Sequence, residues 1–357
     1  MTTDMTLEDR FARLSPQRPE HDGAALLWRD KLHPRLEEME AARKSIIRRA
    51  TLHTLAVGVF IAALTAAAFG AFGFETVFPF GIFAAVVATF IACSAVWMPV
   101  FTMKSQTKEL VVGAACEPFG FRYQTLHMDM SGVSGLRSLG TWISTNRTSV
   151  FSSENAPPTP AFDRLKAVGL LPSYDTRKFE DLIEGQRANA DFTLVECKLT
   201  EQRGSGKNRR TVTTFQGLLL NIDYPDRFLG RTLIARDGWW SWGRKNGMQQ
   251  VDLVSKELED AFTVYSTDQV EARTLLTPDR MERLIALERH FKGGKLRGVF
   301  EEGHLTLALE ADNQFEAGSI FKPLADPDRY VETLTEIGLV CDLIDGFLTR
   351  EWYKDKI

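Results

Sequence analysis

The polar residues with the clearest chemical potential lie in one short stretch, Asp268, Gln269, Glu271 and Arg273. Two carboxylates this close in the chain could serve as a general acid and a general base. The serine and threonine just before them are, however, typical of a helix start, where acidic side chains cap free N–H groups and favour the helix dipole. Because no nucleophile or set of metal ligands accompanies these four residues, the sequence favours a structural role for them over catalysis.

A second candidate site is a glycine-rich loop that carries four positive charges in eight residues, Arg203, Lys207, Arg209 and Arg210. The loop lacks the Gly-x-x-x-x-Gly-Lys-Ser/Thr spacing of a nucleotide-binding loop. Two interpretations therefore stay open for it, a solvated hairpin tip and a contact with anionic lipid headgroups.

The densest aromatic cluster of the chain consists of Trp239, Trp240 and Trp242. If this stretch is extended, side chains alternate between its two faces, so Trp239 lies on the face opposite to the other two. One face could then belong to the core and the other to an interaction surface. We name Trp239, together with the four basic residues of the loop, as a possible membrane or partner contact.

The sequence predicts no metal site, no cofactor and no nucleic acid partner. Its six histidines do not have the spacing of metal ligands. The net charge of −4 gives no reason to expect nucleic acid. Four scattered cysteines form no redox or metal motif, which suits a reducing compartment; they are Cys93, Cys116, Cys197 and Cys341.

The elements that must position these residues begin with an apolar stretch. Residues 50–103 contain a single charged side chain, Glu75. As a helix, the uncharged run 52–72 would be roughly 31 Å long, enough to cross a hydrocarbon core of about 30 Å. The run 76–103 is longer still, and only three residues separate the two. We therefore predict a two-helix transmembrane hairpin over residues 51–103.

Basic residues flank both apolar runs, whereas the predicted hairpin tip offers only an acid. They are Arg43, Lys44, Arg48 and Arg49 before the first run, and Lys104 and Lys108 after the second. The positive-inside rule then predicts a multi-pass protein of the inner membrane with both termini in the cytoplasm. Small residues at every fourth position along both runs could close the hairpin or form a homo-oligomer.

The rest of the chain predicts an α+β fold, a cytosolic antiparallel β-sheet with packed helices. A polar helical segment, 1–50, precedes the hairpin, and 104–160 is a helix extension followed by a linker rich in serine, glycine and proline. The α+β domain spans 161–325, and 326–357 is a C-terminal amphipathic helix. Strands are expected at 191–200, 211–223, 231–236, 249–254, 262–265, 296–301 and 305–310, and further helices from 161 and 278.

Several motifs carry a resemblance to a known family. The most specific is FTVYSTDQVEARTLLTP at 262–278, and the segments 170–175, 180–185 and 215–219 agree with it. Together they resemble a bacterial membrane-anchored family that is catalogued only as a domain of unknown function, over roughly residues 100–325. The resemblance implies a hairpin anchor followed by a cytosolic domain, and it implies no activity.

These observations predict a non-enzymatic protein anchored in the inner membrane, whose cytosolic domain binds or scaffolds a protein partner. Its expected partners are the lipid bilayer, through two transmembrane helices, and a protein whose identity the sequence does not disclose. Two alternatives stay open. One is an accessory subunit of a larger membrane complex, and the other is an enzyme of an unrecognised type.

Overall fold

The structure of the protein is a computed structural model that describes residues 7–12, 14, 18–72, 74–126, 160–204, 208–224, 227–236, 247–253, 256–291, 295–316 and 318–348. Within these ranges it describes the backbone alone at 69, 71, 72, 74–85, 88, 90, 95, 257 and 258. The chain divides into two compact units. The helical unit comprises Met1–Ala114 and Ala317–Glu332, and the sheet unit comprises Ala115–Glu316 and Thr333–Ile357.

Two long helices dominate the helical unit. The helices are α1 (Leu7–Phe11), α2 (Ala24–Leu27), α3 (His33–Phe72) and α4 (Phe74–Cys116), with a 3₁₀ turn at Pro19–His21 and a π-helical turn at Trp28–Leu32. In the described part of the chain, one helical stretch, Pro19–Ala68, is long and apolar enough to cross a membrane. The polar half of α3 is amphipathic, because Leu36 and Ala50 are buried while charged neighbours on the same helix are exposed.

The second segment of the helical unit returns to these helices from late in the chain. The ring of Tyr330 stacks on Trp28, with 5.8 Å between ring centroids, and meets the edge of Phe11 at 6.1 Å. Arg10 forms an ion pair of 2.8 Å with Asp328. Contacts that link residues so distant in sequence define the helical unit, which could not be predicted from either segment alone.

The described part of the sheet unit contains one antiparallel sheet with the strand order β1-β2-β3-β4-β9-β8-β5-β7-β6. Its strands are β1 (Arg122–Thr125), β2 (Thr176–Arg187), β3 (Ala190–Arg203), β4 (Arg210–Asp223), β5 (Thr232–Ala235), β6 (Gln249–Val251), β7 (Thr263–Ser266), β8 (Arg297–Glu301) and β9 (His304–Glu310). The long strands β3 and β4 pair as a hairpin, and β4 then pairs with β9.

The helices of the sheet unit lie between and after these strands in the chain. They are α5 (Pro160–Ala167), α6 (Lys256–Ala261), α7 (Gln269–Leu275), α8 (Pro278–His290) and α9 (Pro327–Leu348), which begins in the helical unit. Phe162 and Leu165 of α5 join one core cluster with Val195, Cys197 and Leu199 of β3, whose alternation points these three side chains to the same face.

The predicted fold class is confirmed at the level of an antiparallel sheet with packed helices. All seven predicted strands are present, and helices begin at Pro160, Pro278 and Pro327, near the predicted starts. The sequence did not predict β1 and β2, and β1 lies within the segment 104–160 that was assigned to a helix extension and linker. Most of that linker, the tryptophan cluster and residue 207 lie outside the described residues.

Candidate functional site

The predicted signature residues lie where β7 leads into α7. Asp268 is the N-cap residue of α7, and its Oδ1 accepts hydrogen bonds from the backbone N–H groups of Val270 at 2.9 Å and Glu271 at 3.0 Å. The backbone N–H of Asp268 donates a hydrogen bond to Ser266 Oγ at 3.0 Å. These bonds satisfy N–H groups that a helix start leaves without an intrahelical partner.

The carboxylate of Glu271 binds a loop that is distant in sequence. It accepts hydrogen bonds from the N–H groups of Leu229 at 2.7 Å and Gly230 at 2.8 Å, one on each oxygen. Thr267 Oγ1 accepts a further bond from Arg231 N–H at 2.8 Å. We call residues 229–231 and 267–271 the signature clasp. A Cβ on Gly230 would lie 2.5 Å from Thr267 Oγ1, so this close approach requires glycine.

The other two predicted signature residues extend the clasp to the edge of the sheet. Gln269 Nε2 donates to Gln249 Oε1 of β6 at 2.9 Å, and Arg273 Nη2 reaches Gln269 Oε1 at 3.5 Å. Both carboxylates of the signature therefore bind backbone N–H groups, while Gln269 contacts β6 and Arg273 contacts Gln269. This geometry holds a strand end, a helix start and a loop together, and it does not bring the four side chains to one reacting point.

The signature clasp presents two large apolar side chains to solvent. Leu229 is 88% exposed and Val270 is 74% exposed. The backbone N–H of Leu229 donates to Glu271, and the backbone N–H of Val270 donates to Asp268. These two hydrogen bonds hold the backbone beneath both side chains. An exposed apolar side chain is common in proteins, and here two of them stand on backbone that is hydrogen-bonded to the same two acids.

A second polar cluster, which the sequence interpretation missed, lies at a β-bulge. Phe179 pairs with Cys197 and Leu182 with Val195, so two residues of β2 oppose one residue of β3. The acids at these positions have carboxylate oxygens within 4.8 Å of one another; they are Glu180, Asp181 and Glu196. We call this group the acidic bulge. A bulge changes the direction in which side chains leave a strand. The carboxylates of Glu180 and Asp181, although consecutive, can therefore both lie close to Glu196.

Protein donors hold each member of the acidic bulge. Tyr123 donates its hydroxyl proton to Asp181 Oδ1 at 2.6 Å, Lys178 Nζ binds Glu180 Oε1 at 2.7 Å, and the Gln314 N–H binds Glu196 Oε1 at 3.2 Å. Burial, and then the charge of Asp181, raise the pKa of Tyr123, which keeps it a proton donor.

By chemistry, three carboxylates so close together suit a hard divalent cation, which prefers oxygen ligands. The prediction of no metal site rests on the spacing of histidines and cysteines, which gives no information on these three acids. The signal that could have located them is the pair of adjacent acids inside the strand-forming segment 176–187, because a regular strand would send the two side chains to opposite faces.

The predicted basic loop connects β3 and β4 as a hairpin. Arg203, Arg209 and Arg210 are exposed, and Arg203 and Arg210 are cross-strand partners. Arg203 Nε donates to Glu201 Oε2 at 2.7 Å, and this bond, followed by one from Ser173, lowers the pKa of Glu201. Part of the positive charge is thus balanced within the hairpin. Lys207, like Trp239, lies outside the described residues.

Comparison with known proteins gives one structural similarity and one family match. No curated protein matches this chain. The crystal structure of the mycobacterial trehalose monomycolate transport factor A, TtfA, is similar at 11% identity over 68% of this chain and 95% of that chain, with a TM-score of 0.31. A TM-score this low does not establish a shared fold. Residues 213–348 match the family model described as "Protein of unknown function (DUF3137)", which supports the predicted resemblance to a domain of unknown function.

Proposed function

We propose that this protein is anchored in a membrane by α3 and α4 and that its sheet unit binds a protein partner at the membrane surface. The observation that supports the membrane anchor is the exposure of large apolar side chains on α3. Leu55 is 69% exposed and Val59 is 64% exposed. A core helix would bury such side chains, and a helix facing water would carry charges. A hydrocarbon environment accommodates both the exposure and the lack of charge.

The proposed topology is a hairpin with both termini in the cytoplasm, in the inner membrane. A hydrogen bond of 3.0 Å from Trp97 Nε1 to Thr54 Oγ1 supports the pairing of the two helices. In a hairpin with its tip near residue 73, these two residues lie at the same level, close to the end where the basic flanks begin. Tryptophan favours this level of a membrane.

Reporter fusions test the anchor. Fusions after residue 40 and after residue 357 should both report the cytoplasm, and a fusion after Glu75 should report the opposite side. A carbonate wash should leave the full chain in the membrane fraction. A C-terminal fusion on the far side would contradict the hairpin, and release by carbonate would contradict the anchor itself.

The signature clasp is the surface that we propose for the protein partner. Leu229 and Val270 stand on a backbone that the side chains of Asp268 and Glu271 fix. A fixed surface loses little conformational entropy when a partner binds, so even a small apolar contact contributes to affinity. Both signature carboxylates are engaged by backbone N–H groups, which favours a binding function over acid–base catalysis at this place.

Photo-crosslinking in cells tests this surface. A photoreactive phenylalanine analogue at Leu229 or Val270 should give a discrete crosslinked product, whereas the same residue at the exposed Ala286 of α8 should not. Leu229→Glu and Val270→Glu should remove the partner from a detergent extract without lowering the melting temperature. Equal crosslinking at all three positions, or at none, would contradict the proposal.

A second candidate is an accessory subunit that docks to another transmembrane helix. The small residues spaced along α3 are exposed; they are Gly58, Ala62, Ala66 and Gly70. A face of this kind permits close approach of a helix from another chain, including a second copy of this one. Crosslinks from Ala62 to a protein that is not crosslinked from Val270 would favour this candidate.

A further inference from the structure

We infer that the turn Ser319–Lys322 is a membrane-contact element, in which Phe321 enters the interfacial region of the phospholipid bilayer beside the start of the α3 span. This inference rests on the proposed anchoring and adds a third point of contact from a segment late in the chain. Phe321 is 63% exposed, and the next two residues, Lys322 and Pro323, are exposed as well.

The turn is fixed by its own hydrogen bonds. Lys322 N–H donates to Ser319 O at 3.0 Å, and Phe321 N–H donates to Ser319 Oγ at 3.3 Å. Arg329 Nη2 donates to the same Ser319 carbonyl at 3.1 Å. Gly318 precedes the turn with a φ of 73°, and a Cβ there would meet the Arg329 guanidinium. The exposed apolar tip is therefore held in one conformation.

The turn is also bound to α3 by a partly buried ion pair. Arg43 Nη1 donates to Ile320 O at 2.8 Å, while Arg43 Nε donates to Glu40 Oε2 at 2.8 Å. Glu40 Oε2 also accepts the N–H of Leu324 at 3.1 Å, and both Ile320 and Leu324 are buried. The hydrogen bond from Arg43 lowers the pKa of Glu40, so this carboxylate stays charged and bound near neutral pH. The two residues thus fix the turn on both sides of its tip.

The position of Phe321 relative to the span follows from one aromatic contact. Its ring meets Trp97 edge-on with 6.2 Å between centroids, and Trp97 donates its indole N–H to Thr54 Oγ1. Thr54 lies two residues into the uncharged run of α3. Phe321 therefore lies level with the first turn of the span, where hydrocarbon gives way to headgroups.

The chemistry of the tip matches this level of the bilayer. Segments that bind the membrane surface bury phenylalanine, like tryptophan and leucine, at the boundary between headgroups and acyl chains. A neighbouring lysine reaches anionic headgroups while its stem covers apolar surface. In water the turn would hold the apolar ring of Phe321 exposed, which is unfavourable. The bilayer interface would bury this ring. The geometry thus points to phospholipid as the occupant of this surface.

The test compares four single-cysteine positions in the full chain, with Cys93→Ser as the background because the other three cysteines are buried. An environment-sensitive nitrobenzoxadiazole label is attached at Phe321→Cys, Pro323→Cys, Leu55→Cys or Glu37→Cys. The protein is reconstituted in vesicles of phosphatidylethanolamine and phosphatidylglycerol. Glu37 lies on the polar part of α3, roughly 22 Å before residue 52, and serves as the water-exposed control.

We expect iodide to quench the labels at 321 and 323 at least about threefold less than the label at 37, and lipids with a shallow nitroxide to quench them more. Labels at 321 and 323 that iodide quenches as strongly as the label at 37, while position 55 is protected, would overturn this inference and leave the anchor intact. Iodide quenching at 55 as well would overturn the anchor. Protection at 323 alone would place lysine and proline, not Phe321, at the interface and would also contradict the inference.

Discussion

At the residue scale, Asp268 and Glu271 have the same chemistry and different tasks. Asp268 binds N–H groups of its own helix, so its effect is local. Glu271 binds N–H groups about forty residues earlier in the chain and so closes a loop. The first contact could be predicted from the sequence, because caps follow local rules. The second could not, because nothing near Leu229 in the sequence signals an acid as its partner.

This difference predicts the outcome of mutation at the two sites. Asp268→Ala should lower the free energy of unfolding by about 1 kcal/mol, and Asp268→Asn by less, because asparagine also caps. Glu271→Ala should lower it by about 1–3 kcal/mol, because two N–H groups lose a charged acceptor. Urea unfolding of the full chain in detergent measures both effects. Glu282→Ala, at an exposed position of α8, is the control and should change little. A Glu271→Ala protein as stable as the parent would contradict the clasp.

The buried thiols give a prediction on reactivity. Burial, and then the nearby Cys341, raise the pKa of Cys116 to about 12, and burial raises the pKa of Cys197. A thiol reacts as its thiolate, so neither should react with Ellman's reagent at pH 8 until the protein is denatured. Because the folded pKa is raised, the protonated thiol stabilises the fold below the unfolded pKa. That stability is lost as pH rises toward 12. Rapid reaction of Cys116 in the native protein would contradict its burial.

At the element scale, Gly217 allows β4 and β9 to pair. Its φ is 154°, and a Cβ there would overlap the carbonyl oxygen of Leu309. Gly217→Ala should therefore lower the free energy of unfolding by about 3 kcal/mol or more, since both backbones would have to move. Gly113→Ala is the matched control: it lies in α4 with open space around the added methyl and should be neutral or slightly stabilising. Equal melting temperatures of the two variants would contradict the register of β4 and β9.

A single arginine closes the ends of two helices. Arg280 donates to Thr274 O and Leu275 O, both at 3.1 Å, at the end of α7. It also donates to Gly346 O at 3.2 Å and Phe347 O at 3.0 Å, near the end of α9. These are carbonyls that a helix end leaves without a partner, and the positive charge suits the helix dipole.

Lysine cannot reproduce this fork of donors. Arg280→Lys should therefore lower the free energy of unfolding by about 1–3 kcal/mol. Arg289→Lys, on the exposed side of the same helix, should have no measurable effect. Differential scanning fluorimetry in detergent measures the melting temperature of each variant, and only Arg280→Lys should lower it. An equal change in melting temperature would show that the cap contributes little.

The predictability of each element follows from the range of the interactions that form it. Strands β3 and β4 alternate regularly, so their pattern was visible in the sequence. Strand β2 escaped prediction because its bulge at Glu180 and Asp181 breaks the two-residue period and places charges inside a strand. The acidic bulge and the Arg280 cap both depend on partners from other elements, which no local pattern reveals.

At the scale of the whole molecule, exposure alone does not distinguish lipid-facing from water-facing apolar residues. Val59 and Leu229 are both strongly exposed. Val59→Arg should reduce the fraction of protein that resists carbonate extraction, because a charge at the centre of a span costs about 3 kcal/mol. Leu229→Arg should leave that fraction unchanged and act on partner binding alone. Equal membrane fractions for the two variants would contradict the placement of Val59 in hydrocarbon.

The return of residues 317–332 to the helical unit also has a consequence for synthesis. Glu40 leaves the ribosome early, but Leu324, whose N–H it binds, follows 284 residues later. At roughly 5 to 20 residues per second, this delay is on the order of 15 to 60 seconds. Throughout that interval Arg43 and Glu40 have been synthesised, but the segment with Ile320 and Leu324, which binds them, has not. Residues 115–316, the larger part of the sheet unit, are translated inside the same interval, so the helical unit can be completed only near the end of translation.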